Sequence, residues 1–320
     1  MEASMSLPGR PGLPAPIFLP GGKSRLVRVL LPLVPYGNDV QIYAEPYCGS
    51  AALFFAKRPH PIEVLNDLDR RLVNLFRALQ DPERFSRLRH RLRHTPYARA
   101  EFERALEILD REDADPVDRA WALFVARNQS FSGNMKTWGR SLAESERGVA
   151  SCVNKWLSRL AFLDERHRRL MMAQIDCVDA LEFIEYWDTE KTFFHIDPPY
   201  HPDTWGVSSV CIRAADREHH QRLVWRLLDL KGFALVSGYY HPDYRPLEEH
   251  GWVRQELNVA SRMLVVPRRA DPRRDGNAWK KAPRKENIWV SPRLARRMGI
   301  FRSQTFFDLL ANPDPQGDAQ

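Results

Sequence analysis

The residues best suited to chemistry form the tetrad Asp197-Pro198-Pro199-Tyr200, which follows the apolar run 193–196. The run predicts a buried strand, and the prolines must end it because proline cannot donate to a sheet ladder. The turn then presents a carboxylate, carbonyl oxygens and an aromatic ring at a strand's carboxyl end, where open α/β sheets bind ligands. Such groups could accept both hydrogens of one exocyclic amine while the ring stacks on a flat heterocycle. A turn that only ends a strand would use the same residue types.

A nucleotide-binding unit is predicted near the start of the chain. The pattern indicates a strand that runs into a Gly-containing turn over 40–50, a helix from Ala51 and a second, short strand over 62–67 that ends in an acid. Small residues such as Gly49 let the backbone approach a ligand closely. Asp67 follows Gly49 by 18 residues, close to the interval at which an acid bonds ribose hydroxyls in such units. Asp69 is predicted to lie just inside the next helix.

A lysine is the third candidate group. Lys23 stands behind Gly21 and Gly22 at the start of a helical pattern, where it could hold a carboxylate or a phosphate. The segment is not the longer phosphate-loop motif. Taken alone, it is more typical of a solvated lysine in a turn.

Together these segments resemble the DNA adenine methyltransferase (Dam-like) family, whose D-P-P-Y enzymes methylate N6 of adenine. The matching segments, in the family's order and at similar spacing, are Gly21-Gly22-Lys23, Glu45-Pro46-Tyr47-Cys48-Gly49, Asp67, Asp197-Pro198-Pro199-Tyr200 and, as a closing strand, 286–290. The resemblance covers about 17–80 and 172–292. It implies a Rossmann-like α/β fold with a mostly parallel sheet, a helical target-recognition insert and an antiparallel closing hairpin.

The resemblance also implies a cofactor site for S-adenosyl-L-methionine. The family's lysine and its acid after the second strand contact the cofactor, and they correspond to Lys23 and Asp67. Glu45 would face the methionine end of the cofactor, and Gly49 would lie beneath it. The full set of expected cofactor-binding residues is Lys23, Glu45, Pro46, Tyr47, Gly49, Asp67, Asp179 and Asp197.

One member of this set has a second interpretation. Asp179 could bond the amino group of the cofactor's adenine, or it could cap the helix that follows, since Asp is favoured at that position. Asp176 is a third possibility for the adenine contact.

Two positions depart from the family pattern. The second glycine of the cofactor loop is Ala51 here, which predicts a slightly less open loop. The aromatic residue often found just before the Gly-Gly-Lys segment is Leu19, although Phe18 adjoins it. Both departures are expected to weaken cofactor affinity without breaking the chemistry.

The segment 81–170 predicts helices that are rich in arginine, together with a polar loop that carries aromatic residues. In the family this position holds the target-recognition insert. Basic side chains could hold phosphates, and Asn or Gln could bond base edges. A solvated helical face would explain most arginine runs equally well. The expected DNA contacts are Arg89, Arg93, Arg127, Asn128, Gln129, Ser130, Asn134 and Lys136.

Composition narrows the class of protein. The chain has 320 residues, is 43% hydrophobic and carries a formal net charge of +7, which suits a polyanionic partner such as double-stranded DNA. Four scattered cysteines suggest neither a zinc site nor a disulfide framework, so we expect a cytoplasmic protein without a metal. No apolar run would span a membrane. A monomer or weak dimer is expected.

The expected domain organisation has five parts. Residues 1–16 form a disordered lead-in and 308–320 a tail, while 17–80 and 171–307 make the catalytic domain around the insert 81–170. A basic loop over 268–285 and a loop containing Trp205 are expected near DNA and the target base.

The function expected from these features is site-specific methylation of a flipped-out adenine in duplex DNA. Asp197 and the Pro198 carbonyl would accept the amine hydrogens, Pro199 would stiffen the turn, and Tyr200 would stack on the base. The same fold could instead act on the cytosine amino group or on RNA. A DNA-binding homologue with impaired catalysis is a further alternative, which Ala51 favours. A nicotinamide-dependent oxidoreductase ranks last because the full G-x-G-x-x-G motif is missing.

Overall fold

The structure is a computed structural model, and it describes residues 12–20, 22–23, 26–145, 147–204, 216–257 and 285–300. Seven strands form one sheet in the order β3-β2-β1-β4-β5-β7-β6. The strands are β1 Ile42–Glu45, β2 Ile62–Asn66, β3 Gln174–Asp176, β4 Thr192–Ile196, β5 Phe233–Tyr239, β6 Val253–Leu257 and β7 Glu286–Val290. The helices are α1 Val27–Leu30, α2 Ala52–Ala56, α3 Arg70–Gln80, α4 Pro82–Arg93, α5 Arg99–Leu109, α6 Pro116–Gln129, α7 Ser151–Ala161, α8 Leu163–Leu170, α9 Ala180–Trp187, α10 Arg217–Leu228, α11 Arg245–Glu249 and α12 Pro292–Met298.

The described chain forms two compact units. The first contains 12–197 and 230–234, and the second contains 198–204, 216–229, 235–257 and 285–300. In the first unit β1 pairs in parallel with both β2 and β4, and β2 pairs in parallel with β3. Their carboxyl ends therefore lie on one edge of the sheet.

The parallel strands are apolar because helices cover both faces of such a sheet. All five residues of β4 are buried, and so are four of the five in β2. The predicted buried strand before the tetrad is thereby confirmed.

The second unit contains the antiparallel part of the sheet. Strand β7 pairs with both β5 and β6, with Leu235 and Val253 both opposite Val290. The predicted α/β fold with a mostly parallel sheet and an antiparallel closing hairpin is confirmed.

Five helices, α4 to α8, occupy the predicted insert. Helix α6 is almost entirely buried, with Trp121 and Phe124 among its core residues, which explains its continuous apolar sequence. The helices belong to the same compact unit as the parallel strands.

The expected disordered lead-in is corrected for residues 12–16. Leu13 and Ala15 are buried, the Gly12 amide donates to the Ala56 carbonyl at 2.9 Å, and Arg166 Nε donates to the Pro14 carbonyl at 2.9 Å. Buried arginine donors need acceptors, and the carbonyls of this segment supply them. Residues 1–11, the part of the predicted Trp205 loop from 205 onward, the basic loop over 268–284 and the tail 308–320 lie outside the described residues.

None of the helices in the described part of the chain is long and apolar enough to cross a membrane.

Candidate active site

The candidate site of the first unit lies at the carboxyl ends of β1, β2 and β4. Glu45 ends β1, Asp67 follows β2 directly, and Asp197 follows β4 directly. Parallel pairing in register places these three acids at one edge of the sheet. This arrangement brings together acids that lie far apart in the sequence.

The tetrad acid is paired with the predicted lysine. Lys23 Nζ lies 3.0 Å from Asp197 Oδ1, and the two side chains are 5% and 20% exposed. A buried ammonium and a partly exposed carboxylate hold each other in the charged form. The lysine of the first motif and the acid of the tetrad therefore meet, although they lie far apart in the sequence. The Asp197 carboxylate remains accessible to a ligand.

The loop after β1 is anchored by Asp67. Its Oδ2 accepts the Gly49 amide at 2.8 Å, and its Oδ1 accepts the Asp69 amide at 2.9 Å. Burial raises the pKa of Asp67 to about 6, although these two amides oppose the shift. Since a carboxylate has about four lone-pair sites, this side chain retains acceptor capacity for a diol.

The same loop takes an unusual backbone conformation. Gly49 has φ +50°, which glycine adopts without penalty. Ala51, where the family has glycine, also lies in the left-handed region with φ 53° and ψ 39°, and it is fully buried. The predicted departure at this position is therefore a source of backbone strain.

Sequence reasoning missed Asn66, the last residue of β2, as an organiser of the site. Its Nδ2 donates to the Pro46 carbonyl at 2.9 Å and to the Val178 carbonyl at 3.0 Å, and its Oδ1 accepts the Val178 amide at 2.9 Å. The side chain is 1% exposed. It fixes the loops after β1 and β3 relative to each other. The sequence did offer one signal for this role, because an asparagine stands directly before the acid at the end of the predicted strand.

Glu45 is buried beneath the loop. Its Oε1 accepts the hydroxyl of Tyr43 and the Phe54 amide, the latter at 3.1 Å, so it holds the first turn of α2. His195 Nδ1 lies 3.8 Å from the same oxygen. Both ring nitrogens of His195 lack a hydrogen-bond partner among the described residues, although the residue is 4% exposed. Glu45 was predicted to face the methionine end of the cofactor. Its Oε1 atom instead binds groups of the protein itself.

Two of the other predicted acids serve as helix caps. Asp179 caps α9 by accepting the Leu181 amide at 2.8 Å, as the second of its two interpretations predicts. Asp69 caps α3 and accepts the Arg71 amide at 3.0 Å, so it precedes that helix instead of lying inside it. Asp176 accepts the Cys177 amide at 2.8 Å. Pro46 is buried and Tyr47 is half-buried in the loop after β1.

In the second unit the tetrad continues as Pro198, Pro199 and Tyr200. Pro198 is buried and Pro199 half-buried. The Tyr200 ring stacks on Tyr239, with ring centres 4.2 Å apart and planes 11° apart. The Tyr200 hydroxyl donates to Glu286 Oε2 at 3.3 Å. Tyr239 and Glu286 therefore fix the orientation of the predicted stacking ring.

The expected DNA contacts fall into two groups. Arg89 and Arg93 bind the two oxygens of Asp164 at 2.5 and 2.8 Å while staying 38% and 54% exposed, and Lys136 is exposed. Gln129 is fully buried, with its Nε2 donating to the Pro96 carbonyl at 2.9 Å and its Oε1 accepting the Ala98 amide at 3.2 Å. Gln129 is therefore corrected to a residue whose side chain holds the connection between α4 and α5.

Three more of these residues, Arg127, Ser130 and Asn134, brace the loop after α6. Arg127 is 5% exposed and donates to the Gly133 carbonyl at 2.8 Å, so its expected DNA contact is corrected as well. Asn128 Nδ2 donates to the Pro16 carbonyl at 3.0 Å. Ser130 Oγ accepts the Met135 amide at 3.1 Å, and Asn134 Oδ1 accepts the Lys136 amide at 2.8 Å. The exposed aromatic of this loop is Phe131, at 51%.

Comparison with known proteins now identifies the family. The family model described as "D12 class N6 adenine-specific DNA methyltransferase" matches residues 20–224, more than half of the chain. The chain belongs to this family. It is an adenine-specific methyltransferase, and S-adenosylmethionine is its methyl donor. The resemblance read from the sequence is thereby confirmed.

A search of curated proteins gave no match. Two solved structures of the rRNA methyltransferase aviRa from Streptomyces viridochromogenes, at 1.5 and 2.4 Å, align with 91% of this chain and 90% of theirs. Their identities are 12% and 14%, and their TM-scores are 0.35 and 0.29. These TM-scores support no argument about this chain.

The residues of the first unit fit the chemistry of the methyl donor. The donor brings a ribose diol, a carboxylate and two cationic centres, and the edge offers the Asp67 and Asp197 carboxylates together with the Lys23 ammonium. The left-handed turn at Gly49 adds a position without a Cβ, where a side chain would lie 3.4 Å from Leu19 Cδ1. Acceptors and a cation are thus present for each polar part of the donor.

Proposed function

We propose that this methyltransferase acts on N6 of an adenine that is flipped out of duplex DNA at a specific sequence. The observation that supports this best is the 3.0 Å pair between Lys23 and Asp197. It brings the lysine of the first motif to the acid of the D-P-P-Y tetrad. A pair that only stabilised the fold would gain little from leaving the carboxylate side chain 20% exposed.

The methyl donor would be held by Asp67 at its ribose and by Lys23 at its carboxylate, and it would supply an electrophilic methyl group. Gly49 and its neighbours would let the backbone come close to it. Asp197 would accept one hydrogen of the adenine amine, and the Pro198 carbonyl would accept the other. These acceptors would draw the nitrogen lone pair out of conjugation with the ring and aim it at the methyl group.

Positioning and charge matching account for the remaining chemistry. No base need act before transfer, because the product ammonium is acidic and can lose its proton afterwards. Pro198 and Pro199 would keep the turn rigid, since proline fixes φ. Tyr200, held by Tyr239, would stack on the extruded base, which replaces part of the stacking lost on leaving the duplex.

DNA would be held through the insert. Arg89 and Arg93 are the candidates for phosphate contact because both remain well exposed while Asp164 orients them. Lys136 and Phe131 stand exposed on the loop after α6, where they would meet a groove. Changing Arg89 and Arg93 to glutamine should reduce the slope of log affinity against log salt by about 0.9 per lost contact. An unchanged slope would remove this face from the DNA interface.

Product analysis tests the proposal. The protein is incubated with mixed-sequence duplex DNA and isotopically labelled S-adenosylmethionine, the DNA is digested to nucleosides, and the labelled nucleoside is identified by mass spectrometry. We expect label on N6 of deoxyadenosine, at one recurring sequence.

The other outcomes separate the alternatives. Label on cytosine would keep the fold and overturn the base specificity. Label only on an RNA substrate would overturn DNA as the partner. Bound DNA without label would favour a homologue with impaired catalysis.

A further inference from the structure

The second unit contains a repeated tripeptide outside the motifs described above. His201-Pro202-Asp203 follows the tetrad directly, and His241-Pro242-Asp243 follows β5 closely. Each tripeptide leads into a 3-10 helix, over Pro202–Thr204 and Pro242–Tyr244. In both, the Asp amide donates to Nδ1 of its own His at 3.2 Å. The two loops therefore share one local conformation.

The two tripeptides bind each other reciprocally. His201 Nε2 lies 3.3 Å from Asp243 Oδ2, and His241 Nε2 lies 3.3 Å from Asp203 Oδ2. Because each Nδ1 accepts an amide hydrogen, the proton of the neutral ring sits on Nε2 and is donated to the opposite acid. The imidazoles stack with centres 3.5 Å apart and planes 14° apart. We call His201, Asp203, His241 and Asp243 the His-Asp clasp.

The clasp is firmly embedded on one side. His201 is 2% exposed, and burial lowers its pKa, which favours the neutral ring. Arg217 binds both oxygens of Asp243 at 2.9 and 3.1 Å. Since Arg217 and the two amides hold their partners in place, the clasp has a single arrangement of donors and acceptors.

The clasp continues the stack that begins at the tetrad. Tyr200 stacks on Tyr239, and His201, the next residue, stacks on His241. Two consecutive ring pairs thus tie the segment after the tetrad to the segment after β5. A backbone shift that displaces Tyr200 would move His201, its neighbour in the chain, and would disturb the second pair as well.

We propose that the His-Asp clasp is a positioning device that keeps Tyr200 as a rigid stacking surface for the target base. It rests on the proposed function, in which Tyr200 stacks on the flipped adenine. The clasp makes no contact with the base in this role. Pre-set aromatic surfaces lower the ordering cost of binding, so the effect is on capture of the base and not on cofactor binding.

A divalent metal is the competing explanation of these side chains. Ligand atoms of His201, His241 and Asp243 all lie within 4.8 Å of one another. However, both Nδ1 atoms already accept amide hydrogens, and Arg217 already neutralises Asp243. Nearly parallel rings also direct their lone pairs along parallel lines instead of toward one point. A proton-bonded clasp accounts for the geometry better.

The test is a double-mutant cycle between His241 and Tyr200. His241→Ala removes one stacked ring and one bond to Asp203, and we expect kcat/KM for DNA to fall about tenfold, mainly through KM. The fluorescence rise of 2-aminopurine at the target position, which reports base extrusion, should fall in parallel. S-adenosylmethionine affinity should stay within a factor of two of wild type, about the scatter of such measurements. His250→Ala, an exposed histidine of the same unit, serves as the matched control and should change nothing.

The decisive comparison uses Tyr200→Ala as background. If the clasp acts through Tyr200, His241→Ala should cause little further loss there. Asp203→Asn keeps an acceptor for His241 and should retain activity that Asp203→Ala loses. Additive losses, or an equal fall in cofactor affinity, would contradict the proposal.

Two further outcomes would also overturn it. Loss of activity with a chelator and recovery with Zn²⁺ would establish the metal instead. A wild-type protein that methylates no DNA would refute the proposed function, and the role of the clasp with it. If the wild type methylates DNA but the losses caused by His241→Ala and Tyr200→Ala add up, only the proposed role of the clasp would be refuted.

Discussion

Strand β2 carries a carboxylate at each end, and the two have opposite environments. Glu63, near the amino end, is fully buried and bonded by Lys57 and Arg169, with Arg169 Nη2 at 2.7 Å. Burial alone would raise the pKa of Glu63, but the bonds from Arg169 and the charge of Lys57 outweigh it and lower the pKa. Asp67, about 13 Å further along the strand, has backbone amides as partners, and burial raises its pKa to about 6.

The difference separates a charge that is balanced inside the protein from the acid that we propose for cofactor binding. At the amino end every strong charge meets its counterpart inside the protein, and His60 accepts from Lys57 while binding the Pro35 carbonyl at 2.9 Å. Burial, followed by the charge of Lys57, lowers the pKa of His60 to about 4, so it stays neutral there. At the carboxyl end Asp67 and Asp197 are oriented by amides or by one lysine, and both remain partly exposed. Burial of charge alone therefore does not mark a site.

The largest expected effect is at the carboxyl end. Asp197→Ala should reduce methyl transfer by about a thousandfold or more, because a positioned acceptor for the reacting amine is lost. The variant should still fold, with a lower midpoint of thermal unfolding because the buried Lys23 loses its counter-charge. Single-turnover kinetics with labelled donor measure the rate, and Asp188→Asn, at an acid that binds the Lys231 and Gly232 amides, is a control for acids outside the site. Near-normal transfer would remove Asp197 from the mechanism.

At the amino end the expected effect is on stability. Glu63→Gln leaves Arg169 and Lys57 buried without a counter-charge and should lower the free energy of unfolding by about 3–5 kcal/mol. Urea denaturation measures the loss. Cofactor affinity per folded molecule should be unchanged at low temperature. If Glu63→Gln kept its stability but lost cofactor affinity, the contrast drawn between the two ends of β2 would be wrong.

A smaller effect is expected from Asp67. Its carboxylate must be charged to accept ribose hydroxyls, so affinity for S-adenosylmethionine should fall about tenfold between pH 7 and pH 5 as the group with pKa about 6 gains a proton. Asp67→Asn should weaken binding at pH 7 and remove this step, which calorimetry across pH can measure. Folded Asp67 binds its proton more readily than the unfolded chain, so its contribution to stability rises as pH falls from 6 to 4. A step of equal size in the variant would assign the titration to another group.

The smallest effect concerns Ala51. Since a left-handed conformation costs a non-glycine residue about 1 kcal/mol, Ala51→Gly should stabilise the protein by up to that amount, less the entropy of glycine in the unfolded chain. Cofactor affinity should rise slightly or stay constant. Ala56→Gly, in the adjacent helix, is the control and should destabilise instead. Destabilisation by Ala51→Gly would mean that the loop is not strained there.

Much of this arrangement was predictable from the sequence. The parallel strands were evident because apolar runs end at acids or prolines, as at Asp67 and Asp197. Order and spacing of motifs then identified the family. The role of Asp179 stayed open in the sequence, because a cap and a cofactor contact favour the same residue type at that position.

The remainder depended on tertiary contacts that leave no local pattern. Gln129 has the composition of a base reader, but it is buried against Pro96 and Ala98, more than thirty residues away. The pairing of Glu63 with Arg169 joins residues 106 apart. The His-Pro-Asp repeat was visible in the sequence, but its meaning required the knowledge that both copies face each other. Such contacts are set by the fold and not by periodicity.

Hydrogen exchange with and without S-adenosylmethionine tests the contrast between the two ends of β2 most directly. We expect added protection in peptides covering 46–53 and 66–69, where the Gly49 and Asp69 amides bind Asp67. Peptides covering 57–63 and 163–170 should exchange at the same rate in both states. Protection concentrated at the amino end, or absent from the loop after β1, would contradict the assignment of the cofactor site.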